Sequence, residues 1–219
     1  MTHGTLDGCR VLIYGAGGHG RSVLDAALAA PAVRVEGFLD DCEALHGTAV
    51  DGVPVLGGEA WLAERGGDAL RIALAVGDNR ARERLAERLR RLGVATATIV
   101  HPTAYVSPRA SVEPGCVILA GAVVGPGVSL GEGSVVNTAA TVDHDATIGR
   151  FVHVAPGSHL AGAVRLGDRV RVGLGASIAQ GIAIGEDAVL GAGAVVLAAL
   201  PAGVVAVGVP AEIVGGSCE

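Results

Sequence analysis

The sequence predicts a small parallel α/β domain followed by a parallel β-helix, two architectures within 219 residues. Three observations carry this. Gly accounts for 35 residues, more than double the ordinary usage of about 7%, and only five side chains are aromatic, so the apolar mass is Ala, Val, Leu and Ile. A mean hydropathy of +0.52 excludes disorder as the reason for so much glycine. Second, an aliphatic residue recurs every six positions from Val106 to Val196, sixteen times without exception. Third, the first hundred residues follow another grammar, in which β-rich runs alternate with helical stretches.

In chain order, Val11-Leu12-Ile13-Tyr14 reads as a strand, followed by the turn Gly15-Ala16-Gly17-Gly18-His19-Gly20 and a helix through Ala29. A second strand at 33–39 ends on Asp40-Asp41. A strand at 53–56, a helix near 59–65, a strand at 71–76, a charged helix at about 80–92 and a strand near 94–99 complete this part. The Arg and Glu residues of the charged helix read as a solvated face. His101-Pro102 marks the boundary, giving domains 1–100 and 101–219.

From Val106 onward the six-residue period sets the fold. Small or β-branched residues such as Cys116, Ala122, Ser134 and Ser158 stand four places after the aliphatic positions, and Gly often follows them directly. Each hexapeptide supplies a short strand and a turn, and three close a coil of 18 residues, so aliphatic positions of successive coils stack inside. A sandwich of short strands would not demand a strict period of six.

Composition removes several function classes. Sixteen Lys and Arg against 22 Asp and Glu give a net charge of −6, which lacks the basic footprint of nucleic-acid binding. The uncharged run 188–211 is long enough to span a membrane, but Pro201 and several glycines interrupt it and its first part continues the β-type repeat. A soluble, non-membrane chain is expected. The first ten residues carry Asp7 and Arg10 and no apolar core of signal-peptide length, so the expected address is cytoplasmic. Cys9, Cys42, Cys116 and Cys218 lie too far apart for a zinc site or a disulfide scaffold and are expected to be reduced.

Gly15, Gly17 and Gly20 fit G-x-G-x-x-G between a strand and a helix, with Asp40 twenty residues beyond. Glycine lets the backbone approach phosphates, and the helix N-terminus offers them free N–H groups. Four or five strands make only half of a dinucleotide fold, so a mononucleotide or nucleotide sugar suits this loop better than a nicotinamide cofactor. Asp40 and Asp41 stand ready to accept hydrogen bonds from ribose or base. Gly77-Asp78-Asn79, again directly after a strand, offers a second backbone site.

On the coil, phase decides where a histidine points. His144 falls at a turn, and Gly162, one coil later, stacks at the same corner about 4.8 Å away. An imidazole beside an exposed backbone N–H is the minimum apparatus of acyl transfer, with Asp145 placed to orient the base. His153 lies half a coil from His144, so the two meet only across a subunit interface. His159, His46 and His3 carry no assigned role.

Together Tyr14-Gly15-Ala16-Gly17-Gly18-His19-Gly20, Phe38-Leu39-Asp40-Asp41, Val76-Gly77-Asp78-Asn79, Asn137-Thr138, His144-Asp145, Gly149-Arg150-Phe151-Val152-His153 and Gly208-Val209-Pro210-Ala211 resemble the left-handed β-helix acyltransferases of the bacterial nucleotide-sugar N-acetyltransferase and sialic acid O-acetyltransferase group. The resemblance spans almost the whole chain. It implies a Rossmann-like N-terminal domain holding the nucleotide sugar, and a homotrimer with acetyl-CoA between neighbouring coils. By position it makes His144 the base, Asp145 its partner, Gly162 the oxyanion donor and His153 a contact to acetyl-CoA. Gly15, Gly17, Gly18, His19, Asp40, Asp41, Gly77, Asn79 and Asn137 would line the sugar-nucleotide site, and Gly162, Leu174 and Ala192 the coenzyme channel. No metal is implied. The chain departs from the group in Asp145, where relatives carry Glu, and in Glu212, where a basic residue is common.

The expected reaction is transfer of acetyl from acetyl-CoA to the amine of a UDP-, GDP- or dTDP-linked 4-amino-dideoxy sugar for a surface glycan. Its nearest rival is O-acetylation of a sialic acid. Remoter ones are a zinc hydratase using histidines of two chains, a nicotinamide oxidoreductase, and a non-catalytic trimeric scaffold.

Overall fold

The computed structural model describes residues 9–65 and 70–216; His3, Cys218 and the last three residues of the tail lie outside them. The α/β part contains β1 (Cys9–Tyr14), α1 (Gly18–Ala29), β2 (Val33–Leu39), β3 (Ala49–Val50), β4 (Val53–Gly57), α2 (Glu59–Ala63), β5 (Leu70–Leu74), α3 (Asn79–Arg91) and β6 (Ala95–Ala97). They form one sheet in the order β3-β4-β2-β1-β5-β6, parallel except for the β3–β4 pair. Apolar runs such as Val11 to Tyr14, covered on both faces, are what a parallel sheet demands. β1 lies between β2 and β5, so the chain reverses its direction of progress there. That switch point opens a crevice at the strand ends, between the loop 15–20 and Gly77.

From Ile99 to Val196 the strands are two-residue rungs stacked into three parallel sheets, a three-sided solenoid. Pairing runs at a separation of 18, as in Val117 to Val135 and Thr141 to His159. The aliphatic positions from Ile118 to Val196 are buried; Val106 and Val112, in the first coil, are partly so. Inside, Ser134 and Ser158 are satisfied by donating to Gly149 O at 2.9 Å and Gly173 O at 2.8 Å. The run 188–211 forms two rungs and the strand Val204–Val207; no helix among the described residues is long and apolar enough to cross a membrane. Val204–Val207 and Glu212–Gly216 close the chain as an antiparallel hairpin on the last coil.

Two expectations are corrected. The single strand near 94–99 is two: Ala95–Ala97 pairs with β5, whereas Ile99–Val100 pairs with Val117 and Ile118 as a rung of the solenoid. Val100 stands six places before Val106, so the repeat begins one unit earlier than expected. The charged helix is also not simply solvated. Asn79, Arg82, Leu85, Ala86 and Leu89 of α3 are buried, and Arg82 is fully enclosed.

One solenoid face receives the α/β part. Val117, Leu119 and Val135 pack with α1 and the sheet, while Phe151 joins the cluster of Tyr14, Leu85 and Leu89 on the other side. At an edge of this contact Arg169 binds Asp187 at 2.9 Å, Glu186 at 3.0 Å and Glu83 of α3 at 3.4 Å. Arg90 of α3 likewise reaches Glu132 at 2.6 Å.

Candidate active site

At the solenoid corner opposite the α/β part, the turn after Val142 presents His144. Asp143 Oδ1 accepts the His144 backbone N–H at 2.7 Å. Asp145 takes the left-handed conformation, φ 59°, that this turn position requires and that Asp tolerates better than most residues. Its carboxylate thereby lies 2.9 Å from His144 Nδ1. That hydrogen bond, with Asp143 adding to it against slight desolvation, raises the imidazole pKa above its ordinary value. Nε2 is left as the free lone pair, and the side chain is about half exposed, 47%.

Gly162 stacks on this ring. A Cβ at residue 162 would stand 2.5 Å from His144 Nε2 and Cε1, so only glycine admits the imidazole here. The ladder gives no partner to the N–H two places after an inward residue. Pro fills that place at 108, 114, 126 and 156. Side-chain oxygens serve Glu132, Thr138, His144 and Arg150. Gly162 N–H has no acceptor among the described residues. A half-exposed base and an unoccupied, buried donor thus stand side by side, next to a groove lined by Val123, Thr141, Asp143, His159 and Ser177.

Across the solenoid, the glycine loop divides its labour. A Cβ on Gly20 would strike Gly15 O at 2.0 Å and one on Gly15 would strike Ala75 O at 2.5 Å, so these two shape the turn. Gly17 and Gly18 face open space, as does Gly77. The loop is braced by Asp40, whose carboxylate accepts Ala16 N–H and Cys42 N–H, each at 2.8 Å. Asp40 is therefore engaged by the backbone, and the more exposed Asp41 carries the accessible carboxylate. Asp41 accepts from Tyr14 Oη and, at 2.9 Å, from Arg88, which also reaches Glu59 at 3.1 Å. Partial burial opposes ionisation of Asp41, but those hydrogen bonds outweigh it and hold its pKa below the usual carboxylate range. Burial and then the Asp41 hydrogen bond push the Tyr14 phenol well above its normal value.

His19 and His153 meet, their ring centroids 5.8 Å apart. His153 Nδ1 lies 3.3 Å from Gly77 O, and Nε2 lies 3.0 Å from Asn137 Nδ2. Burial, then the charge of Arg82, lowers both imidazoles to about 4, so both are neutral at ordinary pH. His19 Nε2 is enclosed without a partner among the described residues. Leu174 and Ala192 stack one coil apart on the corner beside this face, both exposed.

The structure thus joins His144, Asp145 and Gly162 at one corner, and His19, His153, Asn137 and Gly77 on the opposite face. It does not bring the two groups together within one chain. Asn79 differs from expectation: its Nδ2 donates to Arg169 O at 2.8 Å and its Oδ1 accepts from Arg82, so the amide is a strut between α3 and the solenoid rather than a ligand contact. Asp78 caps α3 by accepting Ala81 N–H at 2.7 Å. Sequence reasoning missed Arg82 and Arg88. Spacing could have found the first, since 82, 85, 86 and 89 form one helical stripe. Among the described residues no cluster of three His, Cys, Asp or Glu is arranged to hold a metal.

Known proteins share the two-part fold. The family described as PglD N-terminal domain matches residues 10–89, and the hexapeptide repeat of succinyl-transferase matches 109–143 and 163–198. No curated protein matches the sequence. Among solved structures, the acetyltransferase domain of PglB from Neisseria gonorrhoeae in complex with acetyl coenzyme A is 38% identical over 94% of this chain and 99% of its own, with a TM-score of 0.88. PerB from Caulobacter crescentus, in complex with CoA and GDP-perosamine, shares 38% identity over 94% of this chain and 97% of its own, TM-score 0.88. WeeI from Acinetobacter baumannii is 28% identical over 93% and 99%, TM-score 0.79.

Proposed function

This chain belongs to the left-handed β-helix nucleotide-sugar N-acetyltransferases, and we propose that it transfers acetyl from acetyl-CoA to the amine of a nucleotide-linked 4-amino-dideoxy sugar. The observation that carries the reading is the contact of His144 with Gly162. The amine attacks the thioester carbonyl as His144 Nε2 takes its proton, and Gly162 N–H holds the developing oxyanion. Asp145 keeps the imidazole in the tautomer with Nε2 free and supports the imidazolium that forms. Collapse of the tetrahedral intermediate expels CoA thiolate, which the same proton neutralises.

The acceptor lies at the open backbone of Gly17, Gly18 and Gly77, with diphosphate at the N-terminus of α1, whose first N–H groups have no side-chain cap. Asp41 faces the base or ribose. Because this crevice and His144 lie on opposite sides of the solenoid, the working site combines the crevice of one protomer with the corner of another. A homotrimer meets that need, with acetyl-CoA running between coils past Leu174 and Ala192 and within reach of His153 and Asn137. The α/β part through Ala97 is the acceptor domain and the solenoid from Ile99 onward the acyl-transfer domain, in a cytoplasmic enzyme.

The test is thiol release from acetyl-CoA against UDP-, GDP- and dTDP-linked 4-amino sugars, with free sialic acid included. Turnover on an amino sugar is expected. Turnover on sialic acid alone would overturn the choice of acceptor, and none on any substrate would overturn the reading.

A further inference from the structure

Arg82 is fully buried and makes no salt bridge among the described residues. Its fork is filled by carbonyls: Gly133 O at 2.7 Å, Val76 O at 2.9 Å, Phe151 O at 2.8 Å, and more distantly Gly77 O and Val152 O, with Asn79 Oδ1 at 2.8 Å. Enclosing a cation among neutral acceptors is costly, and burial lowers even this guanidinium to about 10. An apolar residue at this position would leave those carbonyls buried without a donor, so α3 needs the guanidinium fork and not merely its bulk against the solenoid.

The Gly77 carbonyl is shared. Arg82 Nη1 approaches it at 3.4 Å, and His153 Nδ1 lies 3.3 Å from it. The other side of the imidazole bears on the same proton. Thr138 N–H donates to Asn137 Oδ1 at 2.8 Å, which turns the amide NH2 toward His153. His153 Nε2 is then an acceptor, and the ring proton sits on Nδ1, directed at the carbonyl that Arg82 anchors.

We propose that Arg82 is a positioning residue for the transfer reaction: by anchoring the Gly77 carbonyl between α3 and the solenoid, it locks His153 as the Nδ1–H tautomer against His19. The glycine loop and the solenoid wall thereby present one fixed surface to the ligands. The role in transfer rests on the reading given above. The groups facing the imidazole pair are Arg82 of α3, with Asp78 at its cap, and Arg171 of the next rung; the two rings face each other from α1 and the solenoid. Burial first, and then the cations, discourage protonation of either ring, which keeps the tautomer intact into mildly acidic solution.

The experiment is long-range proton–nitrogen NMR on the full chain labelled at histidine, with His153 assigned from a His153→Asn sample. The wild type should show His153 protonated at Nδ1 and bare at Nε2. Arg82→Lys keeps the charge and loses the fork, and Arg82→Gln loses both. In each, a mixture of tautomers is expected, with kcat/KM lower by tenfold or more and up to about 10²-fold. The Gln variant alone should let His19 and His153 titrate at higher pH. Protonation at Nε2 in the wild type overturns the proposal. So do folded variants with unchanged tautomer and kinetics. If the Gln variant fails to fold, the Lys spectrum decides. A wild type that transfers no acetyl group would overturn the functional reading, while the spectra still judge whether Arg82 sets the tautomer.

Discussion

The imidazole of His144 occupies the space that a side chain at residue 162 would need, 2.5 Å from the position of a Cβ there. Gly162→Ala therefore puts a methyl group into the flexible end of a neighbour rather than into backbone. The fold should survive with little change in Tm, because the ring can swing outward. Turnover should fall by about 10²-fold or more, as the base leaves its place. Steady-state kinetics beside a melting curve check this; near-normal turnover would separate Gly162 from the chemistry.

His144→Ala should lower kcat by about 10²–10⁴-fold and leave nucleotide-sugar affinity nearly unchanged, since the base acts in the transition state. Calorimetric titration with the sugar nucleotide provides the second half of the comparison. A large loss of affinity with intact kcat would make His144 a binding residue.

Asp145 raises the His144 pKa by stabilising the imidazolium, and the base works only when neutral. Asp145→Asn should therefore move the acidic limb of the kcat/KM profile to lower pH while lowering its plateau about tenfold or more, through loss of orientation. An acidic limb that stays in place would show that the carboxylate does not tune this base.

Folding keeps His19 and His153 neutral down to about 4, while the unfolded chain protonates them near 6.5. Between those values the unfolded state binds more protons, so stability is fully present above pH 6.5 and declines as the pH falls toward 4. The loss is on the order of 3 kcal/mol for each group at most. Denaturant melts across this window should show the decline, and His19→Asn should remove about half of it. A stability that is level from pH 7 to 4 would contradict the burial of these rings.

Gly18→Ala and Gly20→Ala should act in opposite ways. The first adds a methyl to open space at the start of α1 and should stabilise by about 0.5–1 kcal/mol while weakening nucleotide-sugar binding. The second drives a Cβ into Gly15 O and should destabilise by about 2–4 kcal/mol. Melting curves paired with KM for the acceptor distinguish them; a destabilised Gly18 variant would refute the division of roles.

The solenoid was legible because its constraint is periodic. One interior place in every six is filled by an aliphatic side chain, so residues from Val106 to Val196 announce it. Its start was missed because Ile99 and Val100 also suit a parallel strand, and only the pairing with Val117 and Ile118 decides between the two. The contact of His144 with Gly162 followed from phase alone, since one coil returns the chain to the same corner. The meeting of His19 with His153 did not, for it depends on how α1 and the solenoid pack, which no spacing encodes. Arg82 was misread for a different reason: charge density along α3 masked a stripe whose buried end is cationic, with acceptors 51 to 70 residues away.

Equal rungs carry no instruction to stop, and an unpaired last rung would be a template for the first rung of another molecule. Here Glu212–Gly216 turns back antiparallel on Val204–Val207 and reverses the direction in which that sheet could grow. The hairpin is thus a terminator of polymerisation for one of three sheets, and truncation before residue 212 should convert a discrete particle into one that stacks end to end.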